Sequence, residues 1–317
     1  MPPPTHIKLD KDKNTWEITM YGLGISKGLS LERIRIKGKD HALFKARDGR
    51  ISMVDAVCPH RGANLCNGKV KDNNIQCPYH GWEFSPEGTL MKVPSSGNIP
   101  CGGDIQSYPV LEDGGFIWSS DTKDNLPTRY CEELFDPNWV KVYGSRELQG
   151  NIYDWILNAT DISHINFVHD FADEENARVR NTKVEMKDDY VDCFANVRSK
   201  ASSKLTEHMQ PQDGSDIHSR FIAPCTSIIR IKLAGPYEFI TFSTLLPMDD
   251  DTTKMSWCML YPKNPLLDNP IVYSRFYQRM FDTVAQDEAI IKDVAWVPLT
   301  LNAQCDIFQL KALELLN

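Results

Sequence analysis

The sequence predicts an α+β protein in two parts, a small all-β domain over residues 1–120 and an α+β domain over residues 121–317. Three observations lead there. Residues up to about Ser120 hold short β-like segments, each closed by a turn signal: Ile34-Arg35-Ile36 before Lys37-Gly38, Ala42-Leu43-Phe44 before Asp48-Gly49, and Phe116-Ile117-Trp118 after Gly114-Gly115. The polar stretch Ser119–Pro127 then reads as a linker. Beyond it, Tyr153–Val168 has a helical pattern and Val184–Leu260 reads as several strands, Phe239-Ile240-Thr241-Phe242-Ser243 among them. Ile271–Val294 is the longest helical pattern. Strands enclosed by helices make the second part α+β.

Composition narrows the function classes. A net charge of −8 and a pI near 5.5 argue against a nucleic-acid surface, which needs clustered Lys and Arg. The acidic balance leaves open a cationic substrate, a basic electron donor or plain solubility. Met1-Pro2-Pro3-Pro4-Thr5-His6 lacks the basic start and apolar core of a secretion signal. No apolar run approaches the roughly 20 residues of a membrane helix, so no membrane is expected. Nine scattered cysteines without regular spacing suit reduced thiols and a cytoplasmic protein.

The most specific pattern is Cys58-Pro59-His60-Arg61-Gly62, followed by Cys77-Pro78-Tyr79-His80-Gly81-Trp82. Two thiolates suit one iron of a [2Fe–2S] cluster and two neutral imidazoles the other, which raises the potential above an all-cysteine cluster. Each loop carries one Cys and one His, so two loops can pinch a cluster between them. Gly62 and Gly81 let the backbone turn closely there. The competing reading is a structural zinc site, but zinc fingers pair like with like, as C-x2–4-C and H-x3–5-H. Mixed loops suit a cluster better.

These residues resemble the Rieske family, whose loops read C-x-H and C-x2-H. High-potential respiratory members add a disulfide-paired cysteine in each loop. This chain has Ala63 and Tyr79 near those places, and Cys66 lies further along without a second-loop partner. The resemblance is therefore to the oxygenase and ferredoxin type, and a ferredoxin would end near residue 120.

The second part contains Asn158-Ala159-Thr160-Asp161-Ile162-Ser163-His164-Ile165-Asn166-Phe167-Val168-His169. Non-heme Fe(II) oxygenases hold iron with two His and one carboxylate, leaving positions open for O2. Asn158, Asp161 and His164 fall three apart along one drifting helical face. His169 comes five after His164, about 140° round an ideal helix, so the helix should distort or end between them for both to reach one metal. The carboxylate must come from elsewhere. Along Ile271–Val294, the residues Phe276, Met280, Val284, Asp287 and Ile291 share one face, and a carboxylate in that apolar row is costly to bury unless a metal or donor compensates it. Asp282 sits with Gln278 and Gln286, and Glu288 can pair with Lys292. His164, His169 and Asp287 are the candidate iron ligands, and Asn158 and Asp161 the candidate catalytic residues beside them.

Over nearly the whole chain the resemblance is to Rieske non-heme iron oxygenases of the α-only type. It implies an all-β Rieske [2Fe–2S] domain followed by a helix-grip (START-like) catalytic domain with an antiparallel sheet. Asp161 then looks like the aspartate that bridges the mononuclear iron to a Rieske histidine, His80, of a neighbouring subunit. That implies a head-to-tail homotrimer, since a heterologous contact that closes makes a ring; the alternative makes Asp161 a plain acceptor for a ligand imidazole. O2 is the implied co-substrate, with electrons from NAD(P)H through a separate reductase, because no G-x-G-x-x-G motif appears. Within the branch, Asn158–His164 and the length are most similar to the Rieske hydroxylases of saxitoxin biosynthesis. That implies monohydroxylation of a C–H bond on a guanidinium alkaloid, a small cationic substrate. Such a cation would want carboxylates and aromatic faces. Glu238, beside Tyr237 and Phe239, is one candidate; Met255, on a Met255-Trp257-Met259 row read as core or pocket, and Phe276 are others. O- or N-demethylation, desaturation, aromatic-ring oxygenation and an electron carrier with a ligand-binding domain remain alternatives. His6, His41, His208 and His218 are expected at the surface.

Overall fold

Turns break the first part of the chain into short strands, as the sequence predicts. The computed structural model describes residues 21–120, 123–200, 211, 213–235, 237–265, 267–294 and 301–316; Met1–His6 and His208 lie outside them. The strands are β1 Gly22–Ile25, β2 Leu31–Ile36, β3 Lys39–Lys45, β4 Ile51–Asp55, β5 Lys69–Lys71, β6 Asn74–Gln76, β7 Glu83–Phe84, β8 Leu90–Lys92, β9 Ser107–Tyr108, β10 Leu111–Asp113 and β11 Phe116–Trp118. They form three small sheets, ordered β1-β11-β10, β2-β3-β4-β9 and β5-β6-β7-β8. The β2–β3 hairpin turns at Lys37-Gly38, with φ of 48° and 78°, the left-handed pair that matches strand twist. Phe44, Val54, Leu65, Ile75, Trp82 and Phe84 pack into one core that also takes in Cys58 and Cys77.

His41 departs from expectation. It is 2% exposed and sets its ring edge on Tyr108 at 4.9 Å. The run from His41 to Phe44 is buried at every residue, so β3 is covered on both faces and alternation exposes neither.

Compact units divide at Leu126/Pro127, and Leu246–Lys254 belongs with the N-terminal unit. The reasons are local. Ser119 is buried and exchanges hydrogen bonds with the Tyr21 backbone; Lys37 N donates to Pro247 O at 3.0 Å, and the Lys254 ammonium pairs with Glu32.

The second unit is built on a seven-stranded sheet. Its strands are β12 Trp139–Gln149, β13 Arg180–Met186, β14 Tyr190–Val197, β15 Ser215–Ile222, β16 Thr226–Lys232, β17 Glu238–Pro247 and β18 Thr252–Pro262, in the order β12-β18-β17-β16-β15-β14-β13. Pairs from β13 through β17 are antiparallel. The helices are α1 Ile152–Ala159, α2 Ile165–Val168, α3 Pro270–Ile291 and α4 Ile307–Leu315. Asn151 caps α1 by accepting from Tyr153 N and Asp154 N; Asn269 caps α3, with Pro270 in its first turn. Helix α3 packs on β12 and α4 on β13 and β14. No helix among the described residues is long and apolar enough to cross a membrane.

On the sheet face away from α3, Asp192 is 5% exposed and takes two 2.7 Å hydrogen bonds from Arg220. His218 Nε2 lies 2.8 Å from the same carboxylate and its ring stacks on Phe194, so His218 is half-buried and partnered rather than a surface residue. Burial pushes the Asp192 carboxyl up, but Arg220 and His218 outweigh it and hold it below its ordinary value. A depressed carboxyl adds stability above the unfolded pKa, and that stability is lost as pH falls through the folded one. Asp192→Asn is expected to cost about 1–3 kcal/mol at neutral pH, because it takes the charged partner from a half-buried guanidinium. In urea melts the gap from wild type should narrow below about pH 4.

Candidate metal centres

Two loops of the N-terminal unit are built alike. Cys58 N donates to Ala63 O at 2.9 Å and Gly62 N to Cys58 O at 2.9 Å. Cys77 N donates to Trp82 O at 2.8 Å and Gly81 N to Cys77 O at 3.2 Å. Each loop closes through a glycine of positive φ, 74° at Gly62 and 71° at Gly81, as their places in the motif predict. The cysteines are rooted in the core, while His60 is half-buried and His80 exposed. The His60 and His80 ring centroids are 4.6 Å apart, and Trp82 stacks on His60 at 4.6 Å.

The donor set fits a [2Fe–2S] cluster. Burial and the adjoining Cys77 thiol push Cys58 up to about 11, although backbone N–H groups of His60 and Arg61 point at it; a strong cation is needed to hold that sulfur as thiolate. Desolvation and the neighbouring His80 and Arg61 lower His60, which favours the neutral imidazole a metal takes. Its Nδ1 is buried without a hydrogen-bond partner among the described residues, a costly arrangement unless something binds there.

The second group gathers where α1 stops. Thr160 turns its hydroxyl back to Ile156 O at 2.8 Å, and Asp161 Oδ1 accepts from Ser163 N at 2.7 Å, Ser163 Oγ at 2.6 Å and His164 N at 3.3 Å. The expected single helix Tyr153–Val168 is thus two helices, because Asp161 supplies local acceptors that compete with helical bonding. His164 sits just before α2, and α2 ends at His169, where the backbone becomes extended at φ −96° and ψ 151°. Of the distortion or end that the spacing requires, the structure has an end, α2 stopping just before His169, with a further break before His164.

On α3 the predicted face holds: Val284, Asp287 and Ile291 are buried, and Phe276 and Met280 half-buried. Asp287 thereby meets both histidines. Its Oδ1 lies 3.4 Å from His164 Nε2 and 3.6 Å from His169 Nε2, and the three donor atoms fall within 4.8 Å of one another. Such separations are long for hydrogen bonds and suit ligands sharing a cation between them. Asn158 Nδ2 donates to Asp287 Oδ1 at 3.2 Å. Burial lowers His164, yet Asp287 and Asp161 together raise it above its ordinary value; burial keeps His169 low despite Asp287. Among the described residues, the buried His164 Nδ1 has no hydrogen-bond partner of good geometry, standing 3.8 Å from Asp161 Oδ2. The residues fit a mononuclear iron held by two His and one carboxylate.

Two neighbours of Asp287 do other work than expected. Gln286 Oε1 is 3.2 Å from His169 Nδ1, while Asp282 accepts from Gln278 at 2.7 Å. Glu288 pairs with Arg146 and accepts from Gln149 N at 2.8 Å, rather than pairing with Lys292, because β12 supplies a nearer cation. Phe171, stacked on His169 at 4.9 Å, had no sequence signal.

Of the candidate substrate residues, Phe276 packs on Phe239 at 5.0 Å and on Tyr261 at 4.6 Å. It is on the Asp287 face, but eleven residues away, about 16 Å along the axis. Met255 is buried on the β18 row with Trp257. Glu238 is not brought to them. Adjacent strand residues face opposite ways, so with Phe239 toward α3, Glu238 faces a groove of about 480 Å³ with Arg230 and Lys232.

Comparison with known proteins finds a family match for each part of the chain. The Rieske [2Fe-2S] domain family matches residues 24–109, and the Vanillate O-demethylase oxygenase C-terminal domain family matches residues 154–315, more than half of the chain. This chain belongs to the Rieske non-heme iron oxygenase family. Its cofactors are a Rieske [2Fe–2S] cluster and a mononuclear non-heme iron. It is similar to cholesterol 7-desaturase nvd of Bombyx mori, 35% identical over 42% of this chain and 30% of the relative. It is also similar to a probable 3-ketosteroid-9-alpha-monooxygenase oxygenase component of Rhodococcus rhodochrous, 31% identical over 42% and 35%. The match thus spans about a third of either relative. The fold is that of dicamba monooxygenase bound to dicamba, with a TM-score of 0.79 and 19% identity over 94% of this chain and 96% of that one.

Proposed function

We propose that the protein is an O2-dependent monooxygenase that hydroxylates one C–H bond of a small molecule, with Cys58, His60, Cys77 and His80 holding the cluster and His164, His169 and Asp287 the iron. The observation that carries the reading is the meeting of two imidazoles from the ends of α2 with one carboxylate from α3, within 4.8 Å, in a chain that also holds the Cys/His loops. When bound, the cluster supplies electrons one at a time and the iron supplies the site at which O2 is reduced. The chain's own residues orient and shield. Asn158 ties up one lone pair of Asp287, Asp161 faces the outer edge of His164, and Phe171 covers one face of His169.

A separate NAD(P)H-dependent reductase supplies the electrons in this reading. The exposed His80, with the Tyr79 ring 3.8 Å from its own and 65% exposed, favours a docking surface at the cluster edge, and Phe167 at 63% exposure favours one between the iron histidines. A head-to-tail homotrimer with Asp161 as bridge uses both. Nine free cysteines support a reducing, cytoplasmic setting. For substrate we propose a saxitoxin-type guanidinium alkaloid, supported by the likeness of the Asn158–His164 string; the net charge of −8 is compatible with a cation. Desaturation is the second reading, favoured by the activity in the name of the Bombyx mori relative.

Anaerobic iron analysis with visible and electron paramagnetic spectra, followed by turnover with such alkaloids and a surrogate reductase, tests this. The expected result is about three irons per chain, a Rieske signal and a product heavier by one oxygen. A product lighter by two hydrogens selects desaturation; three irons without product discards the substrate; two irons leave an electron carrier.

A further inference from the structure

We infer that Gln286 is a positioning residue whose side-chain carbonyl holds His169 in the tautomer protonated on Nδ1, leaving Nε2 bare toward Asp287. The inference rests on the proposed ligand set and deepens it. A neutral imidazole has one N–H and one lone pair. His169 Nδ1 lies 3.2 Å from Gln286 Oε1, and a carbonyl oxygen only accepts, so the proton belongs on Nδ1. The bare Nε2 then points at Asp287 Oδ1, 3.6 Å away. With the amide reversed, an NH2 group would face Nδ1 and force the proton onto Nε2, where no metal could bind.

The placement follows from helix geometry. Residues 286 and 287 differ by about 100° around α3, so one turn aims the carboxylate at the shared point and the amide at the far edge of the ring. Helix α1 returns the brace, since Asn158 Nδ2 donates to Asp287 Oδ1 at 3.2 Å. His169 has a 3% exposed side chain, so water cannot readily replace a lost acceptor. No described side chain holds His164 in the same way, its Nδ1 being 3.8 Å from Asp161 Oδ2. Ligand orientation on the His169 side therefore falls to Gln286.

The test is Fe(II) affinity by chelator competition on the full chain with its cluster loaded, for Gln286→Leu, Gln286→Glu and His169→Ala. Gln286→Leu, of similar size without an acceptor, should bind Fe(II) about 10- to 100-fold more weakly, with an unchanged cluster spectrum. Gln286→Glu keeps an acceptor in place and should restore affinity to wild type or better. Wild-type affinity in Gln286→Leu overturns the inference, as does Gln286→Glu binding as weakly as Gln286→Leu. If His169→Ala itself keeps wild-type affinity, the ligand set fails and the inference with it, a result distinct from failure at Gln286 alone.

Discussion

A His164→Ala chain is expected to fall from about three to about two irons, keep its cluster spectrum and lose turnover to background. His164 Nε2 is one of three donor atoms within 4.8 Å. A buried pair of His169 and Asp287 offers too few ligands, and the open positions that O2 chemistry needs cannot then be defined. The cluster donors lie in the loops of Cys58–Gly62 and Cys77–Trp82, in the other compact unit, so their spectrum reports separately. Loss is expected to be nearly complete because ligands act as a unit. Retained hydroxylation with three irons would remove His164 from the ligand set.

Asp161→Ala should keep both metals and lower product formed per electron consumed by about 10-fold or more, the scale at which groups beside ligands act. One carboxylate oxygen is held by Ser163 N, Ser163 Oγ and His164 N, which leaves Oδ2 facing His164 Nδ1 at 3.8 Å. Asp161→Asn separates the two roles. Its carbonyl can still accept from those local N–H groups and preserve the break before α2, but its charge is gone. If coupling falls in both variants, the charge matters to electron delivery. If only the alanine variant suffers, and by losing iron, Asp161 does no more than shape the His164 turn. Product yield against reductant consumed, with iron content beside it, reads the difference.

The cluster was the most legible part of the chain. Its four donors and both turning glycines fall between Cys58 and Trp82, so local spacing carries the chemistry, and Gly62 and Gly81 adopt the positive φ their places imply. The two-part α+β build was legible for a related reason, since turn pairs such as Lys37-Gly38 and the long Ile271–Val294 pattern act over short range. Asp287 could be picked as the one carboxylate in an apolar helical row, and it is buried there.

Whatever depends on neighbours along the chain can be read from residue order: the cluster loops, the hairpins, the apolar face of α3 and the need for the helix to distort or end between His164 and His169. Tertiary structure decided what depends on segments meeting across more than a hundred residues. Gln286 serves His169 and Glu288 takes Arg146 because α1, α2 and β12 approach α3 there, and no i, i+4 rule contains those partners. His41 is buried because both faces of β3 are covered, which one strand's pattern does not report. Glu238 is the instructive exception: strand alternation, a local rule, sets it on the opposite face from Phe239, and neighbours in a strand are not neighbours in a pocket.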